Sequence, residues 1–165
     1  MKTLLLLRHA QAGQPDIHQA DGERGLTPRG KAEARSAGLW LRRTGRWPEE
    51  ILSSPAARAL STVKHVLAAG PFAGKMDTLP ELYLGTAGDH LERLRGLPPE
   101  IGTALVVGHN PGLEDLLFLL TGRRRGLSPA SLACVRLAIP AWTDLGAGGL
   151  GCLEELWHPP GTASA

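Results

Sequence analysis

Four leucines in a row, Leu4 to Leu7, lead without a spacer into Arg8-His9. A second run of the same kind, Ala104-Leu105-Val106-Val107, leads into Gly108-His109. An apolar run of four or five residues, broken at once by polar groups, reads as a buried strand whose C-terminal end opens into a loop. In open α/β sheets that carboxyl rim is where ligands bind. The chain therefore delivers two histidines, one beside an arginine, to the end of an apolar strand.

The intervening sequence alternates helix and strand signals. Gln11 to Gly25 is polar and reads as a long loop. Thr27-Pro28 then supplies an N-cap and a first-turn proline for a helix to Arg43, which Gly45 ends. Ile51-Leu52-Ser53 is a short strand, and Ser54-Pro55 opens a second helix through about Ala69, with Pro55 near its first position. Lys75 to Leu79 is expected as a strand, Asp89 to Leu97 as a short helix, and Leu113 to Leu120 as an apolar helix. Two β-like runs follow, Leu132 to Ile139 and Gly151 to Trp157, joined by a turn containing Gly146, Gly148 and Gly149. That pair suits an antiparallel hairpin at a sheet edge. The expected fold is a three-layer α/β/α sandwich with a mostly parallel central sheet and an antiparallel edge. A length of 165 residues fits one domain, expected over 1–158, with a flexible tail over 159–165.

Composition narrows the function classes. A formal charge of +2 is too small to make nucleic acid the default partner. The positive charge is four lysines against fourteen arginines, which suits phosphate binding but equally reflects base composition. Cys134 and Cys152 lie in apolar contexts and read as buried free thiols, with no paired motif for metal or redox chemistry. Thr3 to Leu7 is too short for a signal sequence or a membrane span, so a cytoplasmic protein without membrane partners is expected.

Arg8-His9 places a forked donor next to a nucleophile, which is what attack on a phosphoryl group needs. The block Ser53-Ser54-Pro55-Ala56-Ala57-Arg58 sets Arg58 in the first turn of a helix that follows a strand. A lone arginine there is more often an exposed surface group, but helix N-terminal amides beside it make an anion site.

Five blocks occur in order: Arg8-His9-Ala10; Arg24-Gly25-Leu26-Thr27-Pro28-Arg29-Gly30; Ser53-Ser54-Pro55 with Arg58 and Thr62; Glu81-Leu82-Tyr83; and Val107-Gly108-His109-Asn110-Pro111. The set resembles the histidine phosphatase (phosphoglycerate-mutase-like) superfamily, and in particular its small SixA-type phosphohistidine phosphatase branch. The resemblance covers residues 2 to about 157. Ala10 stands where much of the superfamily has glycine.

The resemblance implies that His9 is the nucleophile and becomes a phosphohistidine before water releases phosphate. Arg8 and Arg58 would keep its imidazole neutral and clamp the phosphoryl oxygens. His109 would be a protonated phosphate ligand, with Arg24 and Asn110 as further substrate contacts. Glu81 falls where the family has its acid, and Asp16 and Asp21 are alternatives in the first loop. No metal or cofactor is implied, since arginines can carry the charge. His18 is a possible cover for the pocket. His65, His90 and His158 are expected at the surface, and Arg123-Arg124-Arg125 as a solvated basic turn or, less simply, an acidic-protein docking patch.

Larger members of the superfamily insert a helical segment over the pocket after the acid-bearing strand, whereas Glu81 to Thr103 has room for about one short helix. An open pocket admits a phosphorylated side chain on a protein. The expected activity is removal of phosphate from protein phosphohistidine. A small-molecule phosphomonoesterase with the same residues, and a non-catalytic phosphate-binding module, are the alternatives.

Overall fold

The computed structural model describes residues 1–146 and 151–161. Six strands form one sheet: β1 (Lys2–Arg8), β2 (Glu50–Ser53), β3 (Lys75–Thr78), β4 (Thr103–Gly108), β5 (Leu132–Leu137) and β6 (Gly151–Trp157), in the order β3-β2-β4-β1-β5-β6. β3, β2, β4 and β1 pair in parallel, β5 is antiparallel to β1, and β6 is antiparallel to β5. Four helices cover it: α1 (Pro28–Arg43), α2 (Ala57–Leu67), α3 (Ala87–Arg95) and α4 (Gly112–Thr121).

The leucine run explains the layering. Side chains alternate across a strand, so four consecutive leucines must be covered on both faces. All four are fully buried. Leu4 and Leu6 pack with Leu91 and Leu94 of α3 and Leu113 and Leu116 of α4. Leu5 and Leu7 pack with Ala34 and Leu41 of α1 and Val63 and Val66 of α2. The three-layer α/β/α sandwich with an antiparallel edge is the fold that results.

Local signals set most element ends. Thr27 Oγ1 accepts the N–H of Gly30 at 3.0 Å, which caps α1 with Pro28 in its first turn. Gly45 has φ +70°, the left-handed conformation that glycine enters without steric cost. Two expectations shift. α2 begins at Ala57, so Pro55 lies ahead of the helix in the turn off β2, where Ser54 Oγ accepts the Ala56 N–H at 3.2 Å. Cys152 is exposed rather than buried, because β6 is an edge strand. Cys134, on the interior strand β5, is buried as expected. The glycine turn expected between β5 and β6 falls mainly in residues 147–150, outside the described residues. Among the described residues no helix is long and apolar enough to cross a membrane.

Register places the site. Arg8 pairs with Gly108 across β1 and β4, so His9 and His109 leave the same rim side by side. Ser53 pairs with Val107, which brings the β2–α2 turn to that rim as well.

Candidate active site

The His9 backbone is held on three sides. Its N–H donates to Gly108 O at 3.1 Å, and its carbonyl accepts from Ala130 N–H at 3.2 Å. The following Ala10 N–H donates to Thr62 Oγ1 at 3.0 Å, and the Thr62 hydroxyl donates to Arg58 O at 2.7 Å. Thr62 thus ties the loop after His9 to the first turn of α2.

The imidazole geometry has a direct chemical consequence. Nδ1 of His9 lies 2.8 Å from Ala10 O, and a carbonyl can only accept, so Nδ1 carries the ring hydrogen. Nε2 is left with its lone pair. Burial, opposed by the Ala10 bond and reinforced by Arg58, Arg8 and Arg24, lowers the His9 pKa to about 4. The ring is therefore neutral at ordinary pH and able to attack.

Arg58 is 2% exposed in the first turn of α2. Its two terminal nitrogens donate to Asp21, one to the backbone carbonyl at 2.8 Å and one to Oδ2 at 3.1 Å. Arg8 donates to Leu127 O at 3.0 Å. The His109 ring lies 5.2 Å from that of His9, and its Nε2 is 2.7 Å from Ser54 Oγ. Arg8, His9, Arg58 and His109 line one pocket of about 350 Å³ together with Asp21, Arg24, Leu84 and Asn110.

A family model of the histidine phosphatase superfamily (branch 1) matches residues 4–109. The chain belongs to this superfamily. Among solved structures, this histidine phosphatase is similar to a protein from Nakamurella multipartitia assigned as the phosphohistidine phosphatase SixA, with a TM-score of 0.84, 29% identity and 96% of each chain covered. It is similar to the protein histidine phosphatase SixA complexed with tungstate, with a TM-score of 0.82, 26% identity, and 95% of this chain and 97% of that one covered. An uncharacterised protein of Mycobacterium leprae is 34% identical over 120 residues, covering 70% of this chain and 71% of its own. The fold is that of phosphoglycerate-mutase-like histidine phosphatases, and the family carries phosphatase activity.

The other sequence-derived candidates of this histidine phosphatase divide by position. Arg24 lines the pocket, and its Nε donates to Asp21 Oδ1 at 3.0 Å while a terminal nitrogen donates to Gly13 O at 2.9 Å. Asn110 also lines it, but its amide hydrogens go to Glu114 Oε1 at 2.7 Å and Leu127 O at 2.8 Å, so it organises the wall. Glu81 does not line the pocket. It sits in the turn Pro80–Leu82 with its carboxylate paired to Arg93 of α3. Asp16 accepts the His18 backbone N–H at 2.9 Å on the exposed part of the first loop, and His18 does not line the pocket. His65 is half-buried on α2, where its Nδ1 donates to Ser61 O at 2.8 Å. His158 is half-buried beside Ser131 Oγ at 2.8 Å.

The expectation for His109 is a ring protonated as a phosphate ligand, and the structure describes the site without phosphate. Burial, then His9 and Arg58, lowers its pKa to about 3, so in the free site the ring is neutral. His90 corrects the expectation of exposure: it is 1% exposed, and its Nδ1 donates to Thr86 O at 2.6 Å. It lies against Gly112, where an added Cβ would meet Gly85 O at 2.0 Å.

Two residues had no sequence role and now have one. Ser54 is the His109 partner. Tyr83 donates its hydroxyl to Asp21 Oδ2, and its ring meets the His109 ring edge-on at 5.7 Å and 83°. Their only sequence signal was membership of the ordered blocks.

The two neutral imidazoles make a measurable prediction. Their folded pKa values of about 4 and 3 lie below the ordinary 6.5, so the unfolded chain takes up protons first as pH falls. The stability they contribute is complete above about pH 6.5 and drains as pH drops through 4 and then 3. Proton NMR of the ring Cε1–H signals should place both midpoints below pH 5; a His9 midpoint near 6.5 would contradict the buried neutral ring.

Proposed function

We propose that this histidine phosphatase removes the phosphoryl group from phosphohistidine carried on a protein, through a phosphorylated His9. The His9 Nε2 electron pair forms a new bond to phosphorus while the bond to the leaving nitrogen breaks. Arg8 and Arg58 hold the phosphoryl oxygens as charge shifts between them. Water then attacks phosphorus, the P–N bond to His9 breaks with its pair returning to Nε2, and inorganic phosphate leaves. An oxyanion near His109 favours protonation of that ring, so the ligand that is neutral in the free site gains a proton as the anion arrives. Tungstate in the SixA complex, an oxyanion like phosphate, supports a clamp of this kind here.

The observation that carries the protein substrate is the absence of an inserted roof among the described residues. The segment after Glu81 forms α3, whose Leu91 and Leu94 are spent in the core beneath α4. Leu84, 57% exposed, is what that segment offers the pocket. A macromolecular side chain can therefore reach His9.

The test is a panel of phosphohistidine protein, phosphoramidate and several phosphomonoesters, with released phosphate measured for each. The highest kcat/KM is expected on the phosphohistidine protein. Turnover of a small phosphomonoester far exceeding it would overturn the proposal.

A further inference from the structure

Asp21, expected only as an alternative acid, is held in the site by three side chains. Its Oδ2 accepts from Arg58 and from the Tyr83 hydroxyl, and its Oδ1 accepts from Arg24. Despite these bonds its side chain is 47% exposed, so the carboxylate stays open to an incoming group. Asp21 also lines a second cleft of about 390 Å³, walled by Ala20, Gly22, Pro55, Ala56 and the ring of Tyr83. It is the one charged group lining that cleft, and the one residue lining both cleft and phosphate pocket.

We propose that this cleft receives the imidazole ring of the phosphorylated histidine, and that the Asp21 carboxylate accepts a hydrogen bond from the ring nitrogen that does not carry phosphorus. The inference rests on the phosphohistidine reading above and adds where the leaving group sits and what holds it. Proline, alanine and tyrosine surfaces suit a small flat ring. A carboxylate suits its N–H, and holding it there favours the protonated ring. The Tyr83 hydrogen bond, followed by Arg58 and Arg24, lowers the Asp21 pKa to about 2, so the carboxylate is anionic throughout the working range.

This placement accounts for the proton balance. In the protonated phosphohistidine ring, one nitrogen bears phosphorus and the other bears hydrogen. His9 Nε2 forms the new P–N bond; the old one breaks with its electron pair on the substrate nitrogen. The hydrogen stays on the other nitrogen, beside Asp21. The departing group is a neutral imidazole, and no acid has to reach the breaking bond. The pairing of Glu81 with Arg93, away from the pocket, is then no defect for this substrate. An alkyl phosphate is different, because its departing alkoxide needs a proton delivered.

Steady-state kinetics of the full chain on a phosphohistidine peptide, phosphoramidate and p-nitrophenyl phosphate test the assignment. Phosphoramidate has no second ring nitrogen, and p-nitrophenolate leaves without an acid. Asp21→Asn is expected to lower kcat/KM on the peptide roughly tenfold or more relative to the other two substrates, the scale of a hydrogen bond to a charged group. Ala20→Trp, a substitution at an exposed position, should fill the cleft and raise KM for the peptide while sparing phosphoramidate. Equal losses on all three substrates for Asp21→Asn, or unchanged peptide kinetics in both variants, would overturn the assignment. A wild-type chain that turns over p-nitrophenyl phosphate but not the peptide would overturn the phosphohistidine reading itself, and this inference with it.

Discussion

Replacing His9 with alanine is expected to abolish turnover, with a loss in kcat on the order of 10⁴-fold or more. The size follows from the role. On the proposed route Nε2 is the atom that bonds to phosphorus, and no other described side chain lining the pocket offers a neutral lone pair in a comparable position. His109 is neutral too, but its Nε2 faces the Ser54 hydroxyl at 2.7 Å. The ring of His9 is buried but small, and alanine leaves the β1 register to Gly108 intact, so the variant should fold. Quenching wild-type chain in alkaline detergent with ³²P-labelled substrate should trap a base-stable phosphate that later acid treatment releases, and His9→Ala should trap none. Activity within tenfold of wild type would rule out the phosphoenzyme route.

Arg58→Met should lower kcat/KM by about 10³-fold on any phosphorylated substrate, in the range known for removing an arginine that stabilises a transferring phosphoryl group. Three effects add in the same direction. The clamp loses its forked donor; Asp21 loses two of its hydrogen bonds; and a positive charge that helps keep His9 neutral is removed. Arg58→Lys keeps the charge but not the fork and should recover only part of the loss. Methionine fills a similar volume in a site that is 2% exposed, so thermal unfolding should show whether folding survives. Inhibition by tungstate should weaken in parallel with kcat/KM. A change smaller than threefold in both would remove Arg58 from the mechanism.

The parts of this structure legible in the sequence are those decided locally. An unbroken leucine run must be buried on both faces, and Thr27-Pro28 starts a helix by the hydrogen bond and dihedral it brings. The cage of Arg8, His9, Arg58 and His109 that lines the pocket was legible because each of the four sits at the end of a strand or the start of a helix, where position and rim coincide. What escaped depends on distant partners. The neutrality of His109 comes from burial and the charges around it, which no local pattern carries. His90 is hidden by α3 packing over Gly112. Glu81 is drawn aside by Arg93, one helix further on. Asp21 stood only as an alternative acid, and its bonds to Arg58 and Tyr83 join residues 37 and 62 positions apart.

The antiparallel strand β5 has a bearing on how the enzyme is made. All four cage side chains have been synthesised once residue 109 is in place, but the backbone that aims two of them is not yet secured. Ser131 O accepts the Arg8 N–H at 3.2 Å, and Ala130 N–H spans the carbonyls of Arg8 and His9 at 3.1 and 3.2 Å. Leu127 O holds the Arg8 guanidinium. Ala130 does this at φ 60°, a left-handed conformation that costs a residue bearing a Cβ about 1 kcal/mol. The residues that line the pocket with His9 and His109 thus precede residue 111 in the chain, whereas the bonds that fix the Arg8–His9 backbone come from the approach to β5, and pairing of β5 with β1 completes them.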